Sequence, residues 1–233
     1  MQTADPGQTR SLSASVVPAC LAVIGSAVVV ALLGWAVVTG AGPLLHVDRA
    51  VSEALYAGDD RSRLVGILLQ VATAPGLTAF RAAVLLPVLA WLVLRRAWWT
   101  AAWVFVAAAG IGPLTTLLKD VVDRPRPQFV EGGARYASLS FPSGHSSGIV
   151  ALVTIALVLA WPLLAPPARR TWLALGTLLV LLVGLTRMWL GVHFVSDVLG
   201  GWALGLGWTL LVALVFGALP GHRAALRPRV PAP

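Results

Sequence analysis

Arg187, His193 and Asp197 lie in a run from Leu173 to Leu219 that is otherwise almost entirely apolar. A charged side chain at a bilayer centre costs roughly 2.5 to 3.5 kcal/mol on insertion scales, so ionisable groups there need partners or a task. His193 and Asp197 are four residues apart, a spacing that sets two side chains close to one helical face. In such a pair the carboxylate accepts a hydrogen bond from one imidazole nitrogen and fixes the tautomer. The other nitrogen is left as a nucleophile or base. A purely structural His–Asp pair has the same spacing, so this cluster alone does not decide.

Two further clusters accompany it. Pro142-Ser143-Gly144-His145 directly precedes an apolar run, and the unpaired N–H groups of a helix start can hold an anion. An ordinary serine cap would look the same. Lys119 is followed at short range by Arg126-Pro127, and it is the sole lysine among 17 Lys and Arg residues. A terminal lysine usually only snorkels, but here arginines and prolines follow it. Lys119, Arg126 and Arg187 with backbone donors around Ser143 and Gly144 suit a phosphate, whose oxygens need donors from several directions. His145 and His193 then divide the work, one attacking phosphorus and one protonating the departing oxygen. A metal site is not indicated. His46 and His222 fall outside the constellation, and no Cys, HExxH or multi-carboxylate set accompanies His145 and His193.

The elements that must position these clusters are membrane spans. With 58% hydrophobic residues, 11% charged and a mean hydropathy of +0.85, the 233-residue chain is expected to be all-α and polytopic. Six spans are predicted at 16–38, 78–94, 98–118, 146–164, 172–190 and 195–219, forming a six-helix bundle with short interfacial helices. Val16 to Val38 is too long and uncharged for a cleaved signal and reads as a retained span. Residues 1–15 are expected to be a disordered cytoplasmic N-terminus, 16–219 the membrane domain, and 220–233 a basic, Pro-rich cytoplasmic tail that does not fold. The start of the second span is the least defined. Residues 64–75 read as a short interfacial helix, and Arg81 as a residue that snorkels to the interface. Asp48 is expected to cap an amphipathic helix at 49–57, in which Val47, Val51 and Leu55 face away from Arg49 and Glu53. The glycines at 200, 201, 205 and 207 suit close helix approach. Cys20 is the single cysteine, so no disulfide framework exists.

A net charge of +8 would suggest nucleic acid in a soluble protein, but here its distribution is a topology signal, and no nucleic-acid partner is expected. Arg10, Arg95, Arg96, Arg169, Arg170, Arg223, Arg227 and Arg229 fall on one side with a single acid, Asp5. Compact, acid-free clusters of this kind mark the cytoplasmic side, which leaves the three chemical motifs together on the other.

These residues resemble the type 2 phosphatidic acid phosphatase superfamily, related in site architecture to vanadium-dependent haloperoxidases. The family pattern KxxxxxxRP, PSGH and SRxxxxxHxxxD reads here as Lys119 to Arg126-Pro127, Pro142 to His145, and Thr186-Arg187 to His193 to Asp197. Thr186 replaces the leading serine and retains a hydroxyl. The resemblance implies a metal-independent lipid phosphatase without cofactor, in which His193 forms a phosphohistidine and Asp197 orients it. His145 would be the acid for the leaving group and later the base for water. Lys119, Arg126, Ser143, Gly144 and Arg187 would hold the phosphate.

Only 14 residues separate Pro127 from Pro142, so no extra domain covers the site. An open site at a membrane face fits a lipid phosphate. The resemblance implies undecaprenyl diphosphate, phosphatidylglycerophosphate or phosphatidic acid, and the first is the leading expectation, as a carrier recycled in cell-wall synthesis. Ala- and Arg-rich usage points to a bacterial source and hence a plasma-membrane location. Rival readings are a lipid phosphotransferase, since a phosphohistidine can be discharged by any acceptor, and a non-catalytic lipid-phosphate binder or transporter. The latter would be expected to lose His145 or His193. Oligomeric state is not readable from the sequence.

Overall fold

The computed structural model describes residues 6–129 and 137–226, with side chains from Ser15 onward. Eight helices carry the described chain: α1 (Pro6–Val38), α2 (Gly42–Leu55), α3 (Arg63–Thr73), α4 (Thr78–Leu94), α5 (Trp98–Val122), α6 (Gly144–Ala160), α7 (Pro166–Trp189) and α8 (Val195–Phe216). Five are long and apolar enough to cross a membrane, and α3 and α4, bent by 45° at a short break, meet the same test only when taken together. The break falls where Pro75 and Gly76 close a 3₁₀ turn, Ala74–Gly76, because proline cannot donate to the α-helical ladder. Where a short interfacial helix was expected at 64–75, the chain forms a short helix over Arg63–Thr73 and then the 3₁₀ turn. The chain is a multi-pass membrane protein.

α8 is the centre of the bundle and packs against α1, α5 and α6. Its glycines make this possible. A Cβ on Gly201 would lie 2.6 Å from the Ser143 carbonyl oxygen, one on Gly200 2.7 Å from the Phe141 ring, and one on Gly207 2.7 Å from Ser26. Each would meet atoms already in place, and overpacking of this kind costs about 1–3 kcal/mol. The seam between α8 and α6 thus holds the turn before α6 directly against the first turns of α8.

Four features depart from expectation. The helix that carries the first span starts at Pro6 rather than at residue 16, with a proline in its first turn and Pro18 inside it; residues 1–5 lie outside the described residues. The tail also folds. Ala218, Leu219 and Ala224 join the buried core, Thr100 Oγ1 donates to the Ala224 carbonyl at 2.8 Å, and Arg223 stacks over Trp99 at 4.0 Å. Proline stops a helix without preventing such packing; residues 227–233, with Arg227 and Arg229, lie outside the described residues. Asp48 is not a cap but a buried residue inside α2, whose first turn is opened by Pro43. Arg81 does not snorkel. Its side chain is buried against Gly148 of α6.

The two ends of the bundle are distinct. At one, Arg95 and Arg96 turn α4 into α5, Arg169 and Arg170 open α7, and Arg223 lies against α5 and α8. At the other, the ends of α5 and α7 meet the starts of α6 and α8 under α2 and α3.

Candidate active site

The site grows from the start of α8. Gly191, at φ +66°, makes the turn after α7, and a Cβ there would meet the rings of Tyr56 and Phe129, which stack on each other at 3.9 Å. The backbone then runs through Val192 and His193 to Phe194, the residue that precedes α8. Asp197 is the third residue of that helix, and its Oδ2 accepts from the Phe194 N–H at 2.9 Å and from His193 Nδ1 at 3.3 Å. A carboxylate here also faces the positive end of the helix. His193 and Asp197 therefore meet across a helix cap and not along one helical face, because α8 begins only at Val195.

The tautomer follows from the neighbours. Arg126 Nη1 lies 3.2 Å from His193 Nε2, and a guanidinium can only donate. Nε2 therefore presents its lone pair, and Nδ1 carries the proton given to Asp197. Burial pushes the His193 pKa down to about 4, against the upward pull of Asp197, and the positive charges of Arg126 and Arg187 act in the same direction as burial. Neutral His193 with an available Nε2 is the resting form at neutral pH.

Around it the predicted residues converge. Arg126 donates from Nε to the Ser138 carbonyl at 2.7 Å, from Nη2 to Ser138 Oγ at 2.9 Å and from Nη1 to the Val192 carbonyl at 2.8 Å, which aims the guanidinium at His193. Lys119, in the last turn of α5, donates to the Leu139 carbonyl and is within electrostatic range of Arg126 and Asp197. Ser143 caps α6, its Oγ accepting from the Ser146 N–H at 3.4 Å and Oγ at 3.0 Å, and its own N–H donates to the Asp197 carbonyl at 2.9 Å. Gly144 opens α6, and His145 follows it, within range of His193 and Arg187. Arg187 donates to Thr73 Oγ1 at 3.0 Å. All eight residues singled out from the sequence thus lie at one end of the bundle.

Sequence reasoning missed the hub that holds them. Arg124 Nη1 donates to Asp197 Oδ1 and Ser196 Oγ, both at 2.7 Å, while Nη2 donates to Asp48 Oδ2 at 2.6 Å. Asp48 Oδ1 accepts from the Ser196 N–H at 3.0 Å, and Arg124 lies over the Phe194 ring at 4.1 Å. One buried guanidinium thereby ties α2, the segment after α5 and the first turn of α8 together. The signal was the doubled Arg124-Pro125-Arg126-Pro127, of which only the second half was read. Among the described residues, no group of three or more His, Cys, Asp or Glu is placed to hold a metal ion.

An integral membrane helical bundle with a histidine, its carboxylate and several cations gathered at one end defines the class of this protein. The PAP2 superfamily model matches residues 98–220, more than half of the chain, and the chain belongs to that superfamily. It is 41% identical over 107 residues to phosphatidylglycerophosphatase B of Bacillus subtilis, covering 45% of this chain and 50% of that protein. The decaprenylphosphoryl-5-phosphoribose phosphatase of Mycobacterium tuberculosis is 33% identical over 139 residues, 58% of this chain and 68% of that one. Among solved structures, the transmembrane PAP2-type phosphatidylglycerolphosphate phosphatase of Bacillus subtilis superposes with a TM-score of 0.71 at 27% identity, over 83% of this chain and 94% of that one. The chain spans about half the length of the Bacillus relative identified by sequence.

Proposed function

We propose that the chain is a metal-independent lipid phosphatase that works through a phosphohistidine at His193. The observation that carries this reading is the pairing of His193 Nδ1 with Asp197 at 3.3 Å while Nε2 faces Arg126 at 3.2 Å. The Nε2 lone pair attacks phosphorus, the bond from phosphorus to the leaving oxygen breaks, and His145 gives that oxygen a proton. Water then attacks the phosphohistidine, His145 takes a proton from it, and the P–N bond breaks to release inorganic phosphate. Lys119, Arg126, Arg187 and the backbone N–H groups that open α6 from Gly144 stabilise the charge on the phosphoryl oxygens. The step needs the two histidines in opposite protonation states, His193 neutral as it attacks and His145 protonated as the leaving oxygen departs.

The substrate in this reading is a polyprenyl diphosphate such as undecaprenyl diphosphate, presented at the extracytoplasmic face of a bacterial plasma membrane with both termini cytoplasmic. The relative whose name specifies a decaprenyl lipid supports the polyprenyl class, and the acid-free arginine clusters at the far end support the orientation. The second reading, phosphatidylglycerophosphate, is favoured by the likeness to the Bacillus structure over most of its length. Phosphate release by the purified protein, in EDTA, across undecaprenyl diphosphate, phosphatidylglycerophosphate and phosphatidic acid tests the proposal. Highest kcat/KM on the diphosphate is expected. Preference for phosphatidylglycerophosphate would select the second reading, and no release, or release only with added metal, would contradict the phosphatase mechanism.

A further inference from the structure

We propose that Arg81 binds a second anionic group on the leaving-group side of the site and selects lipids whose leaving group itself carries a phosphate. This rests on the phosphatase reading and deepens it. Arg81 belongs to none of the three motifs and sits one turn into α4, 9% exposed. Nη2 donates to Thr78 Oγ1 at 2.9 Å, while Nη1 is buried with no hydrogen-bond partner among the described residues. A buried charged donor without a partner is costly and marks a place where an anion is accommodated.

Its position specifies which anion. The guanidinium packs on Gly148 of α6, where a Cβ would fall 1.7 Å from Nη1 and 2.4 Å from Cζ, so only glycine leaves it room. Gly148 follows His145 by three residues, which is about 4.5 Å further along the helix and away from the membrane face. The same break that bends α3 against α4 places Gly76 on His145, its missing Cβ 2.8 Å from that of His145. Thr73 before this break holds Arg187, and Thr78 after it holds Arg81. The two cations therefore flank His145, one with the phosphate-holding groups and one deeper. A lipid's tail points into the bilayer, so its leaving oxygen lies on the deeper side of phosphorus. A cation there meets the inner phosphate of a diphosphate, which departs as a lipid monophosphate once His145 has protonated the bridging oxygen. Phosphatidic acid leaves as a neutral diacylglycerol and offers Arg81 nothing.

The test is the ratio of kcat/KM on undecaprenyl diphosphate to that on phosphatidic acid, in mixed micelles, for wild type, Arg81→Gln and Arg81→Lys. Arg81→Gln is expected to lower the ratio on the order of 10- to 100-fold, the scale of a charged hydrogen bond, with partial recovery in Arg81→Lys. A ratio unchanged in Arg81→Gln overturns the inference. Should Arg81→Gln be inactive on both lipids, Gly148→Ala decides, since its methyl displaces the guanidinium without removing it: a fall in the ratio supports the role and an unchanged ratio overturns it. Wild-type protein that releases phosphate from neither lipid overturns the underlying phosphatase reading instead.

Discussion

At the residue scale, His193 is set up by what surrounds it more than by what it is. Asp197 alone would raise an imidazole pKa, yet burial dominates and leaves the ring neutral. The expectation is an NMR titration midpoint near about 4 for His193 in the resting, detergent-solubilised protein. The sign is that of a depressed base: the ring stays uncharged as pH falls through the usual 6.5 and protonates only below that. A midpoint at or above 6.5 would mean that Asp197 outweighs burial. The motif residues were legible because their spacing is local and their types are costly in a membrane. Arg124 was not, since sequence spacing carries no signal that one arginine in a pair is buried 5% exposed while its neighbour reaches the histidine. Asp48 was misread for a related reason. A carboxylate beside an apolar-periodic segment looks like a cap, and its partners lie 76 and 148 residues away.

At the element scale, the start of α8 is where the fold and the site become one object. The Arg124 hub fixes that first turn against α2, and Ser143 fixes it against α6. Removing one member of a buried, hydrogen-bonded ion pair costs about 3–5 kcal/mol because the other is left uncompensated. Arg124→Ala is therefore expected to lower thermal stability strongly. Asp48→Asn should lower it less, because the amide can still accept a hydrogen bond. In a double-mutant cycle measured by thermal unfolding, the Arg124–Asp48 coupling should be of order 1–3 kcal/mol; additive effects would show that the hub is not a unit. The spans were legible from apolar run length, and the glycines of α8 as close-approach positions. The helical start at Pro6 and the folded residues 220–226 were not, because local polarity argued against packing and tertiary contact decided.

At the scale of the whole molecule, the arginine-rich end and the histidine end sit at opposite ends of the spans, so orientation can be checked directly. In a Cys20→Ala background, Ala137→Cys is expected to react in intact cells with a membrane-impermeant maleimide, whereas Arg96→Cys reacts only after permeabilisation. Labelling in the reverse pattern would place the site in the cytoplasm and remove extracytoplasmic carriers from consideration. Both the site and the selectivity assigned to Arg81 depend on a lipid arriving with its phosphate at the face and its tail in the bilayer.

The central claim is covalent: phosphorus is bonded to His193 during turnover. Rapid acid-free quenching after mixing the protein with ³²P-labelled lipid diphosphate, followed by alkaline digestion and peptide mapping, measures this directly. The expected result is an acid-labile, alkali-stable phosphopeptide containing His193, absent from His193→Ala, which also loses phosphate release by about 10⁴-fold or more. An alkali-labile acyl phosphate, no labelled peptide, or wild-type turnover in His193→Ala would contradict the account.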